Sequence, residues 1–128
     1  LLIAPDIPSA TRALHNAASS AILIDAMLGT GVSGTVHGVF LSAIEAWPHV
    51  HTIAVDIPSG LDADTGLPCG TCIRAGLTVT FQFLKTGLAA PSAAPYAGRV
   101  IVADIGIPDA CADDAAWLRL RQTWESAH

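Results

Sequence analysis

The apolar positions of this chain fall into four short, nearly continuous runs, at residues 21–28, 52–57, 77–84 and 99–107. A strand with one wet face alternates apolar and polar residues. Runs this continuous, three of them rich in Ile or Val, predict strands buried on both faces of a parallel sheet. Between the first two runs, Val36, Val39, Phe40, Ala43, Ile44 and Trp47 recur at helical spacing, with Ser42 and Glu45 off the stripe, which predicts an amphipathic helix over 36–47. Strand, glycine turn, helix, strand is a βαβ unit, and its right-handed crossover sets the two strands parallel. Further helices are predicted over 8–20, with Ser9 as N-cap, and over 108–126, with Asp109 as N-cap. Residues 58–74 and 86–98 carry Gly, Pro and Ser without helical period and read as long connections, a kind that often carries function.

At 128 residues the chain fits one domain, 1–128, and 52% hydrophobic content supplies its core. With only 13% of residues charged and a mean hydropathy of +0.51, some apolar surface is expected to meet a partner or further chain. A net charge of -5 without a basic cluster excludes a nucleic-acid partner, which needs a Lys/Arg footprint. The uncharged stretch 26–44 holds Gly29, Gly31, Gly34 and Gly38, too many glycines for a membrane span, and no secretory signal is visible. The chain starts at Leu1 without Met, so a true N-terminus upstream is expected. Three cysteines, an odd number beside a large core, argue for a reducing compartment, the cytoplasm. Cys69 and Cys72 have C-x-x-C spacing but precede a strand run instead of following one and lack further ligands, which argues against a redox pair or a zinc site.

Three runs reach an aspartate near their C-terminal ends: Asp25, Asp56 and Asp104. In open α/β sheets the ligand crevice lies outside the carboxyl ends of the strands, so these acids are site candidates. Asp25 leads into Gly29, Thr30, Gly31, Val32, Ser33, Gly34 and Thr35, a turn that either cradles an anion or serves tight packing. Asp56-Ile57-Pro58-Ser59-Gly60 sets a carboxylate and a hydroxyl at one turn. Such oxygens suit a hard cation, and the acid suits proton exchange; alternatively they satisfy loose backbone groups. Asp104, Asp62 and Asp64 read as turn acids, and His49 and His51 precede their strand and belong at the opposite edge. Lys85, the sole lysine, closes the third run, either to meet a phosphate or carboxamide or as a solvated strand end.

The segments Asp25-Ala-Met-Leu-Gly-Thr-Gly-Val-Ser-Gly34, Ala54-Val-Asp-Ile-Pro-Ser-Gly-Leu-Asp62, Leu77-Thr-Val-Thr-Phe81, Lys85-Thr-Gly-Leu88 and Val102-Ala-Asp-Ile-Gly-Ile-Pro108 together resemble the YjeF N-terminal domain family, the NAD(P)H-hydrate epimerases, over residues 22–108, with a helical tail at 109–128. The resemblance implies a Rossmann-like three-layer αβα sandwich with a mostly parallel sheet. It implies interconversion of the R and S forms of NADHX and NADPHX, in company with a fused or separate ADP/ATP-dependent dehydratase, and a homodimer. It assigns potassium to Asp25 and Ser59, and substrate contacts to Gly29, Thr30, Gly31, Val32, Ser33, Gly34, Thr35, Asp56 and Lys85, with Asp56 as the acid/base group. Thr86 stands where the family's Lys-Pro-Gly-Leu motif has proline, which loosens the turn that carries Lys85. Nothing in residues 1–20 resembles the family's N-terminal Asn-Asn-Gly-Gly-Asp-Gly phosphate loop, so the N-terminal part of the domain is expected to be missing. The alternative is a non-catalytic nucleotide-binding or interaction module that keeps the fold. A related small-molecule kinase would need an anion-hole signature that the sequence lacks.

Overall fold

The computed structural model describes residues 6–19, 22–108 and 111–112. Helix α1 (Ile7–Ala17) starts from Asp6, not Ser9. The Asp6 carboxylate accepts from the Ser9 N–H at 2.9 Å while the Ser9 hydroxyl lies 3.3 Å from the Asp6 N–H, so Ser9 is the third helical residue of a capping box. Four strands follow: β1 (Ile22–Asp25), β2 (His51–Val55), β3 (Leu77–Phe81) and β4 (Arg99–Ala103), all parallel, in the order β1-β2-β3-β4. Helix α2 (Gly38–Glu45) joins β1 to β2. The connection at 86–98, expected to be irregular, folds into α3 (Thr86–Ala89), a 3-10 turn at Pro91–Ala93 and α4 (Ala94–Ala97). Single turns are too short to display a helical period. The helix expected from 108 to 126, with its cap at Asp109, lies almost wholly outside the described residues.

Every strand is shorter than its apolar run. Some surplus residues leave the sheet yet stay inside, as Ile57 and Leu84 do, whereas Ile105 and Ile107 after β4 are exposed. A hydrophobic run therefore outlasts its strand here, and neither its length nor its continuity fixes which residues are buried.

Register puts Asp25, Ala54, Thr78 and Val100 on one face of the sheet, and Ile24, Ile53, Leu77 and Arg99 on the other. Because the strands lie side by side in chain order, every right-handed crossover passes over the same face. That face is covered. Ile57, Leu61, Leu84, Leu88, Ala93 and Ala97 pack together with Val100 against them, and Val36, Ile44, Cys69 and Ile73 form a second cluster with Trp47. The expectation of strands buried on both faces fails on the other side, where Ile22 is 55%, Ile24 65% and Ile101 40% exposed. No crossover between the described strands passes over it. The architecture is α/β and Rossmann-like, a parallel sheet flanked by helices, with the C-terminal ends of β1, β2 and β3 at one edge.

Candidate functional site

Asp25 is fully buried at the end of β1. One oxygen, Oδ2, accepts the Ser59 N–H at 2.7 Å, and Oδ1 accepts the Ser59 hydroxyl at 2.6 Å and the Met27 N–H at 3.4 Å. The Ser59 hydroxyl in turn accepts the Leu28 N–H at 2.9 Å, which ties the start of the glycine turn to the turn after β2. Among the described residues the one ion pair joins Lys85 and Asp56, so Asp25 has no side-chain countercharge. An ionised carboxylate out of water is costly unless hydrogen bonds or a cation compensate it. The donors gathered here are oxygens, and no group of three or more His, Cys, Asp or Glu side chains suited to a metal occurs among the described residues. That set suits a hard, oxygen-preferring cation and not a transition metal.

Asp56 departs from the strand geometry. β2 stops at Val55, and Asp56 adopts φ +68°, a left-handed conformation that Asp tolerates better than most residues. The turn directs its side chain to the end of β3, where Oδ1 accepts three hydrogen bonds: from Lys85 Nζ at 2.5 Å, Thr80 Oγ1 at 3.1 Å and the Phe81 N–H at 3.2 Å. Burial pushes the carboxyl pKa up, but the Lys85 ammonium, the Phe81 N–H and the Thr80 hydroxyl outweigh it and hold the group below its ordinary value of 3.8. Asp56 is therefore a carboxylate at neutral pH.

Lys85 holds its place despite Thr86. It is the N-cap of α3, and Thr86 opens the helix at the position where proline is also accommodated. Besides Asp56, the ammonium donates to the Phe81 carbonyl at 3.0 Å. The turn behind it is braced by the Asp62 loop: the Gly87 N–H donates to the Ala63 carbonyl at 2.6 Å, and a Cβ on Gly87 would run into the backbone of Asp62 and Ala63. Asp62 Oδ1 accepts from the Asp64 and Thr65 N–H groups and the Thr65 hydroxyl, the pattern of a turn-forming acid.

The turn from Gly29 to Thr35 is exposed except at half-buried Val32. A Cβ added at Gly29, Gly31 or Gly34 would meet nothing within 4 Å, and of the three only Gly34 has a positive φ, +74°. Tight packing therefore does not explain Gly29 or Gly31; they keep a smooth, open surface. The turn is anchored at both ends, by Leu28 on Ser59 and by the Val36 N–H on the Cys69 carbonyl at 2.9 Å. It leads to the N-terminus of α2, where His37 gives no side-chain cap and the first N–H groups stay open.

The structure thus brings Asp25 to Ser59 and Asp56 to Lys85, and joins the glycine turn to the first pair. Other candidates stay apart. His49 and His51 are exposed at the start of β2, beside a cavity of about 760 Å³ at the opposite edge. Asp104 closes a turn by accepting the Gly106 N–H at 2.7 Å. Cys69, Cys72 and Cys111 are free. Burial, with the charge of Asp25 and neighbouring Cys69, pushes the Cys72 thiol up to about 12, and burial also raises Cys69, so neither is a ready thiolate. Sequence reasoning missed Thr80, although the period-two hydroxyls of Leu77-Thr-Val-Thr-Phe81 place Thr78 and Thr80 on one face. It also missed Gln82, at φ +53°, whose Oε1 accepts the N–H groups of Ile105 and Ile107 and ties the end of β3 to the segment after β4.

Comparison with known proteins identifies the family. The family described as YjeF-related protein N-terminus matches residues 3–87. The chain is 45% identical over 85 residues to an NAD(P)H-hydrate epimerase of Limosilactobacillus fermentum, covering 65% of this chain and 41% of that protein. It is 39% identical over 109 residues to an NAD(P)H-hydrate epimerase of Pirellula staleyi, covering 84% of this chain and 48% of that one. A bifunctional NAD(P)H-hydrate repair enzyme, Nnr, of Pyrobaculum aerophilum is 46% identical over 89 residues, 68% of this chain and 18% of its own length. The chain spans less than half the length of these relatives. Since the matched family covers more than half of the chain and takes in both acids, Ser59, the glycine turn and Lys85, the chain belongs to the YjeF-related N-terminal domain family.

Proposed function

We propose that this chain supplies the substrate-facing acid of an NAD(P)H-hydrate epimerase, an isomerase that interconverts the R and S forms of NADHX and NADPHX. The observation that carries the reading is the Asp56 carboxylate, held ionised in a left-handed turn at the C-terminal sheet edge by Lys85, Thr80 and the Phe81 N–H. The substrate's C6 hydroxyl sits beside the ring nitrogen, so its configuration inverts if hydroxide leaves and returns or if the ring opens and recloses. Either route needs a proton carrier next to that oxygen. An ionised Asp56 begins as acceptor and so serves the ring-opening route: it takes the C6 hydroxyl proton as the C6–N bond breaks with its electron pair going to the ring nitrogen, and it returns that proton to the oxygen when the nitrogen re-adds to the other face of the carbonyl. The open surface of Gly29, Thr30, Gly31, Val32, Ser33, Gly34 and Thr35, with the uncapped α2 N-terminus behind it, suits the diphosphate, and Lys85 steadies the acid and meets the substrate's polar end.

Potassium fits the other acid. Asp25 and Ser59 would hold it, since the carboxylate is buried without countercharge and the Ser59 oxygen keeps a lone pair beyond its bond with Leu28. Bound there, the ion would supply positive charge at the end of β1. That one relative is a bifunctional NAD(P)H-hydrate repair enzyme supports a second activity, fused or separate, as partner; the family resemblance makes it an ADP/ATP-dependent dehydratase and supports a cytoplasmic homodimer. No helix among the described residues is long and apolar enough to cross a membrane.

The test is epimerisation of a purified single epimer by the full-length polypeptide, followed by chromatographic separation of R and S forms with and without potassium. Equilibration at the uncatalysed rate would overturn the reading.

A further inference from the structure

Among the described residues, Asp56 receives all its side-chain hydrogen bonds on one oxygen, Oδ1, and no donor reaches Oδ2. The Phe81 N–H is a fixed backbone donor 3.2 Å away, common to any residue at the strand's end, and Lys85, on a flexible stem shared with the Phe81 carbonyl, is a poor device for setting the carboxylate's rotation. Thr80 differs. It is fully buried within β3, its β-branched side chain is stiff at χ1, and Asp56 is the one partner its hydroxyl has among the described residues. Its neighbour on the same face, Thr78, is equally buried but gives its hydroxyl to the Ala97 carbonyl at 2.7 Å, a fold-holding contact far from the acid. The two threonines have the same surroundings in the strand and different uses.

We infer that Thr80 is a positioning residue for the epimerase site: its hydroxyl holds Asp56 by Oδ1 and thereby leaves Oδ2 as the oxygen that exchanges a proton with the substrate. This rests on the reading of Asp56 as the acid/base group. Valine has nearly the shape of threonine and suits a buried strand position, so Thr80→Val removes the hydroxyl with little effect on folding. Lys85 is the one titratable side chain bonded to Asp56 among the described residues, and it stays in place in this variant.

The experiment compares wild type, Thr80→Val and Thr80→Ser in the full-length polypeptide. Thr80→Val is expected to keep or raise the Tm, to leave KM within about twofold and to lower kcat by about 10-fold, because a carboxylate free to rotate spends less time in the productive pose. The acid limb of its kcat/KM profile moves to higher pH, since one bond that favours the charged carboxylate is gone. Thr80→Ser, which restores the hydroxyl, recovers most of kcat. An unchanged kcat and pH profile in Thr80→Val, or a serine variant that behaves like the valine one, overturns the inference. A 13C carboxyl titration of Asp56 by NMR makes the comparison without turnover: no upward movement in Thr80→Val also overturns it. Asp56→Asn separates the two levels. If that variant epimerises fully, the reading of Asp56 itself fails; if it is inactive while Thr80→Val is normal, only the positioning role fails.

Discussion

Asp25 and Asp56 end neighbouring strands at the same sheet edge, each after a run of Ile, Val or Leu, yet their surroundings diverge within one residue. Asp25 stays extended and disappears into the protein, both oxygens engaged by Ser59 and the backbone. Asp56 turns left-handed, remains partly exposed and gathers its donors on a single oxygen. The first acid knits two loops together and, among the described residues, faces no cationic side chain; the second is paired with one. An aspartate at a strand end thus marks a place, and the next element to arrive, the Ser59 turn or the Lys85 turn, assigns its work.

The largest effect that could break this comparison is on Asp25. Asp25→Ala strips the acceptor from the Ser59 N–H and hydroxyl and from the Met27 N–H at a fully buried site. Leaving such donors unpaired costs about 3 kcal/mol, a large share of an ordinary domain's stability, which urea unfolding would register as a lowered midpoint with unchanged slope. If Asp25→Ala is instead silent in stability, the acid is not the staple its geometry describes. Asp56→Asn should show the opposite profile. Stability changes by less than about 1 kcal/mol, because Asn also tolerates the left-handed turn and the lost pair is partly exposed, while kcat falls by about 100-fold or more as the proton carrier disappears. Equal losses in both properties for both variants would erase the division of roles.

How much of this was legible beforehand follows from particular residues. The parallel strands, the crossover helix and the edge that gathers Asp25, Asp56 and Lys85 can be read from apolar runs ending in acids, because strand burial and strand polarity leave direct marks on sequence. The left-handed turn at Asp56 left none, since Asp is compatible with both extended and left-handed backbone. Thr80 was hidden for a different reason: a threonine in a strand looks like β propensity, and its value depends on a side chain 24 positions away. The short helices at 86–98 are single turns without a period, and the exposed second face follows from strand order, which apolar runs do not encode.

Smaller, and sharper as a test of electrostatics, is Lys85→Met. Asp56's folded pKa lies below its ordinary 3.8, so the pair's contribution is fully present above 3.8 and is lost as pH falls through the lowered folded value. At neutral pH the variant should lose about 1 kcal/mol in urea unfolding, the upper end for a partly exposed pair. In acid below that window, where Asp56 is protonated in both proteins, the two unfolding curves should converge. With the ammonium gone, burial raises the Asp56 carboxyl, and the acid limb of kcat/KM shifts to higher pH. A stability gap that persists unchanged in acid would show that Lys85 acts through packing of its stem and not through charge.

The smallest structural effect belongs to the glycine turn, where the comparison with the two acids is most demanding. Gly31 has neither a positive φ nor any atom within 4 Å of where a Cβ would stand. Gly31→Ala should therefore leave unfolding within about 0.5 kcal/mol of wild type, or slightly stabilise the fold by restricting the unfolded chain. If the turn is a diphosphate cradle, the added methyl stands between backbone and ligand, and KM for NAD(P)HX rises several-fold with little change in kcat, because uniform binding is lost and the proton carrier is untouched. A methyl that alters neither stability nor KM would leave the open glycine surface without a ligand, and the substrate would then have to be held chiefly from the Asp56 and Lys85 side.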